Sequence, residues 1–163
     1  MTNQSISLKS IEAIQSAQSK AIPCLYALRS MFLSGVSTYL HQSLVIEGKC
    51  YRLSDLFSDM AGEAIANYHA MGECITILGG NPVPIVQSKG EISMPDEQTP
   101  EEMLRTNIEV CRNVTALLRQ TAKLVTQSRV LQLIHDACVV QEQHEQSMFA
   151  VYGQCFNETF CIT

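Results

Sequence analysis

The sequence predicts an all-α fold: an up-down-down-up four-helix bundle with a long crossover between helices two and three and an extra N-terminal helix. Three observations predict it. Apolar residues recur at helical spacing over nearly the whole chain, and strand-like alternation is absent. Breaks between the periodic segments fall at Glu47-Gly48-Lys49, Gly79-Gly80-Asn81-Pro82 and Thr126-Gln127-Ser128. The middle break opens into a loop from about Asn81 to Gln98, rich in Pro, Gly, Ser and Gln. One long connection along a bundle lets the third helix start at the same end as the second.

Taken in order, Ile6 to Lys20 is a weak, polar amphipathic segment that is expected to pack as a separate N-terminal helix. Pro23 suits the first turn of the next helix, where its missing N–H costs little. That helix runs to about Ile46 and stacks Leu25, Leu28, Phe32, Val36, Tyr39 and Ser43 on one stripe. The second begins near Leu53-Ser54, with Leu56, Met60, Ala64, Asn67, Met71, Cys74 and Leu78 inward, and Gly79-Gly80-Asn81-Pro82 stops it. Thr99-Pro100-Glu101-Glu102 is a strong start for the third, with Thr99 as cap and Glu102 completing a capping box. Its core positions are Leu104, Ile108, Cys111, Thr115 and Leu118. The fourth runs from about Arg129 to Tyr152 with Leu133, Ile134, Ala137, Cys138, Gln141, His144, Met148 and Val151 inward, and Gly153 is expected to end it.

A chain of 163 residues suits one domain and buries a full core without cross-links. The expected division is a helical extension over 1–22, the bundle over 23–153 and a short apolar tail over 154–163. Charged residues are 17% against 46% apolar, too little charge to coat four long exposed helices. This favours a homodimer or a larger homo-oligomer. A net charge of −5 with no Lys or Arg cluster speaks against nucleic acid and anionic membrane. The polar start, Met1-Thr2-Asn3-Gln4-Ser5, does not read as a signal peptide, and no apolar run is long enough to span a bilayer.

Seven cysteines stand at 24, 50, 74, 111, 138, 155 and 161, never as Cys-x-x-Cys. A rubredoxin-like or zinc-ribbon module needs closely paired thiolates, so neither is present. Free thiols packed as small hydrophobes in a reducing cytoplasm are the expectation.

Three segments resemble the rubrerythrin and bacterioferritin branch of the ferritin-like superfamily. They are Leu56 to Pro84 (LFSDMAGEAIANYHAMGECITILGGNPVP), Met103 to His144, and Tyr39-Leu40-His41-Gln42. The resemblance implies a di-iron or di-manganese centre to which each helix pair gives one Glu and one Glu-x-x-His. Residues three apart share a helix face, and four carboxylates balance two divalent ions. Carried over residue by residue, those positions are Phe32, Ala64, Asn67, Cys111, Gln141 and His144, so only the histidine is kept. Aromatic Phe32 opposite small Ala64 reads as volume compensation in a packed core. Sliding the frame brings in Glu63 or Glu142 singly and breaks other positions, because one residue turns a side chain by about 100°.

The residues therefore predict no catalytic site and no cofactor, and they disfavour ferroxidase or peroxidase chemistry. A structural or binding bundle is the leading expectation. The alternative is a non-standard metal site of His144, Cys111 and Gln141 holding iron, zinc or copper, with a redox or storage role. In the structural case His144 is hydrogen-bonded to Gln141 or Asn67, and Cys111 packs as a hydrophobe.

Overall fold

The computed structural model describes residues 8–83 and 98–156, which form four helices: α1 (Leu8–Ile46), α2 (Tyr51–Ile77), α3 (Pro100–Ala122) and α4 (Ser128–Phe156). α1 packs on α2 and α3, and α4 packs on α3 and α2, so α1/α4 and α2/α3 are the diagonals of the bundle. The four long helices of the expected architecture are present, with two corrections.

The first correction is at Pro23. The N-terminal segment is not a separate helix, because α1 runs unbroken from Leu8 to Ile46 with Pro23 inside it. Ala21, Leu25, Leu28 and Phe32 form one buried stripe that crosses the proline. Pro23 itself lies on the exposed side, as does Ser19, whose carbonyl loses its N–H partner. On that side the carbonyl faces solvent, so burial on the opposite face carries the helix through. A division at residue 22 therefore cuts through α1.

The second correction is at Gly153, which does not end α4: the helix continues to Phe156. Among the described glycines only Gly48 and Gly79 have positive φ. Arg52 of α2 donates to Gln154 Oε1 at 2.9 Å and ties down the last turns of α4. The tail residues Phe160 and Cys161 lie outside the described residues.

The remaining helix ends follow local chemistry. Gly48 (φ 82°) makes the α1–α2 turn, and Gly79 (φ 82°) closes α2. Beyond it, the Tyr26 hydroxyl donates to the Asn81 carbonyl and Arg29 Nη1 donates to the Val83 carbonyl at 2.8 Å. The start of the crossover is thus held against α1. Thr99 forms the expected capping box: Glu102 N donates to Thr99 Oγ1 at 3.2 Å, and Thr99 N to Glu102 Oε2 at 2.8 Å. Thr99→Ala is expected to cost about 1 kcal/mol in a urea-denaturation experiment.

The core has two apolar clusters. One holds Leu25, Leu28 and Phe32 with Met71, Ile75, Leu118 and Ile134. The other holds Tyr39, Phe57, Met60, Ala64, Leu104, Cys111 and Met148. Along α2, Asn67 falls between Ala64 of one cluster and Met71 of the other. Along α4, Gln141 and His144 fall between Cys138 and Met148. All three polar residues are buried. A polar layer therefore crosses the middle of the bundle, sandwiched by apolar packing on both sides.

Candidate functional site

The polar layer gathers the few interior groups with chemistry to offer, and α2 and α4 supply them. Residues one turn apart share a helix face, so Gln141 and His144 both point inward from α4. Asn67 does the same from α2. His144 is 4% exposed, and its Nε2 bonds to Oε2 of Glu63 across the α2/α4 seam. The Glu63 side chain is 52% exposed and forms part of the rim. A groove of about 320 Å³ runs along this seam, with Asp59, Glu63, Gln143 and Ser147 beside His144.

A carboxylate at Nε2 keeps the imidazole proton on that nitrogen and leaves Nδ1 as a bare lone pair. Nδ1 is buried and has no hydrogen-bond partner, and the same is true of Asn67 Nδ2. One unused acceptor and one unused donor thus sit in the middle layer. Burial lowers the His144 pKa, and the Glu63 carboxylate opposes that only in part.

The sign of the resulting pH dependence follows from linkage. A folded-state pKa below the unfolded value of 6.5 means the unfolded chain takes up the proton more readily. The stability held by neutral His144 is complete above 6.5 and is lost as pH falls through the folded value. Melting temperature is expected to drop between pH 7 and pH 5, and the drop is expected to shrink in His144→Gln.

On the α1/α3 side, Cys111 is fully buried, and its Sγ lies 3.9 Å from the Tyr39 hydroxyl. Burial pushes the thiol up to about 11. Burial first, and Cys111 second, hold the Tyr39 phenol well above its usual range. Both groups are neutral at physiological pH. Neither is poised as a nucleophile or base.

All six positions singled out in the sequence are buried: Phe32, Ala64, Asn67, Cys111, Gln141 and His144. The expected contacts among them differ from those found. His144 bonds to Glu63, not to Gln141 or Asn67. Phe32 belongs to one apolar cluster and Ala64 to the other, so they do not trade volume directly. The space beside Ala64 is shared instead with Gly35 and the Tyr39 ring. Glu63 is the functional residue that sequence reasoning set aside. Its Cα lies on the flank of α2, but a glutamate is long enough to reach back over the seam.

Among the described residues, no three His, Cys, Asp or Glu side chains are grouped so as to hold a metal ion. Cys24, Cys74, Cys111 and Cys138 are free thiols. No described helix is long and apolar enough to cross a membrane.

Four helices paired in this way around a polar middle layer define a ferritin-like bundle. The family model of the ferritin-like domain matches residues 25–155, and the chain belongs to that family. Among solved structures it is similar to a bacterioferritin from Desulfovibrio desulfuricans, solved with its diiron site in different catalytic states. That likeness has a TM-score of 0.73 at 16% identity, covering 90% of this chain and 86% of the other. At that identity the likeness supports the fold alone. A comparison with curated proteins gives no significant match.

Proposed function

We propose that this chain is a ferritin-like bundle without a dinuclear carboxylate centre, acting as a structural or binding protein and not as a ferroxidase. The observation that carries the reading is the donor set of the interior. Phe32, Ala64, Asn67, Cys111 and Gln141, at the positions to which the sequence resemblance assigns five ligands, are all buried and none is a carboxylate. Two divalent ions need about four negative charges around them, and burying them uncompensated costs several kcal/mol per ion. These residues do not fit such a centre. Glu63, which reaches across the α2/α4 seam, is spent on Nε2 of His144.

The test is metal analysis of protein purified without a His tag and without chelator. No two-metal stoichiometry is expected, and added iron(II) is expected to leave the melting temperature unchanged. Two iron atoms per chain, lost on His144→Ala, overturn the reading.

A second reading is favoured by one observation, the buried and unpartnered Nδ1 of His144. It is a metal-binding bundle in which His144, Cys111 and Gln141 hold a single iron, zinc or copper ion for storage or redox work. Thiolate and imidazole suit zinc and copper, and an amide oxygen is a weak further ligand. One ion per chain, released by His144→Ala, is its expected signature.

In either case the protein works as a homo-oligomer in a reducing, cytoplasmic setting. Free thiols support the setting. Exposed Leu40, Leu44, Tyr51, Ile65 and Phe149 support the assembly, Leu44 and Tyr51 at 70% and 75% exposure. Light scattering is expected to give at least twice the 18.1 kDa of one chain, and a single-chain mass would contradict it.

A further inference from the structure

We infer that the middle layer and the apolar cluster below it form a buried site for one cuprous ion, held by Met60, Cys111, His144 and Met148. The inference deepens the metal-binding reading by naming the ion, and it rests on that reading.

Met60 of α2, Cys111 of α3 and Met148 of α4 are all fully buried and belong to one packed cluster. His144 stands one turn before Met148 on α4 and lines the same α2/α4 groove as Met60. Three helices therefore contribute two thioethers and one thiol to a single packed cluster, with one imidazole a turn away from it on α4. The independent pointer to a ligand is His144 Nδ1, which is buried, carries a lone pair and has no partner. Its other nitrogen is held by Glu63. A carboxylate on the far nitrogen is how proteins fix the tautomer and orientation of a metal-bound imidazole.

Charge and softness select the ion. Of the four donors Cys111 is the one that supplies a thiolate, its proton being displaced to solvent as the metal binds. One thiolate with one monovalent ion leaves no net charge in the core. A divalent ion in the same place leaves a surplus charge in low dielectric, which is costly. Thioether and thiolate sulfur are soft donors that favour Cu(I), whereas iron and manganese centres want carboxylate oxygen. The buried methionines thereby gain a role beyond filling space. Glu63 acts as a positioning residue, through His144.

The test is an anaerobic titration of the full chain with Cu(I) against a chromophoric Cu(I) chelator, with zinc titrated in parallel. One Cu(I) per chain is expected to be withheld from the chelator, with a thiolate-to-copper charge-transfer band. The double variant Met60→Leu/Met148→Leu keeps the core volume, and its melting curve shows whether the fold is intact. It is expected to hold Cu(I) at least about tenfold more weakly, because it loses both thioethers. Cys138→Ser, outside this cluster, is expected to leave retention unchanged. Equal Cu(I) retention in the methionine double variant overturns the inference. Zinc retained through His144 with no Cu(I) withheld overturns it too, while the metal-binding reading stands. No ion retained overturns both.

Discussion

Replacing Phe32 by Glu is expected to lower folding stability by about 3–5 kcal/mol, a large share of what a domain of this size possesses. Phe32 is 3% exposed, within the cluster of Leu28, Met71 and Ile134. It also stands at the first-helix position to which the sequence resemblance assigns a carboxylate. A glutamate there is buried among apolar side chains with no cation beside it. It must either take up a proton or open the bundle, and each route is unfavourable. Phe32→Leu, which stays apolar, separates the effect of charge from that of lost volume. The variant also discriminates between the functional readings. If the interior were a carboxylate site short of one ligand, iron(II) or manganese(II) would restabilise Phe32→Glu. In a packed interior neither ion does. Chemical denaturation with and without metal reads the difference.

Phe57→Ala is expected to cost about 3–5 kcal/mol, for a reason of shape and not of charge. Phe57 is fully buried and stacks on Tyr39 with ring centroids 6.3 Å apart and planes 16° from parallel. Truncation removes a large apolar area and leaves a cavity that α1 and α2 cannot close while packed along their length. Tyr39 then loses the ring that holds it beside Cys111. A rise in the thiol-labelling rate of Cys111 is expected to accompany the loss of stability. Stability lowered by less than about 1 kcal/mol, with labelling unchanged, would show that the second cluster does not lock this layer.

The fold was legible because its signals are local and repeated. The capping box of Thr99 and Glu102 needs only four residues to specify it, and it is present as read. Gly79 closes α2 with the left-handed conformation that its place after the last periodic residue suggests. Pro23 and Gly153 misled for one shared reason. Both weaken a helix by local propensity, and both are overridden by what their helices pack against. The stripe from Ala21 to Phe32 carries α1 past the proline, and the contact between Arg52 and Gln154 secures α4 past the glycine.

The candidate site was legible in position but not in contact. Helical spacing placed Asn67, Gln141 and His144 inside, and all three are buried. Spacing cannot say which neighbour a long flexible side chain reaches. Glu63 lies one position from the inner face, so its Cβ points to the flank, yet its carboxylate crosses the seam to His144. Likewise, the size match imagined between Phe32 and Ala64 depended on the register between α1 and α2. The packing instead sets Ala64 beside Gly35 and Tyr39.

A carboxylate-free interior is tested most directly by anaerobic calorimetric titration of the native chain with iron(II). No saturable uptake of two ions per chain is predicted, and Ala64→Glu is predicted to destabilise the fold without creating such uptake. Saturable binding of two iron(II) ions per native chain, abolished by His144→Ala, would contradict it.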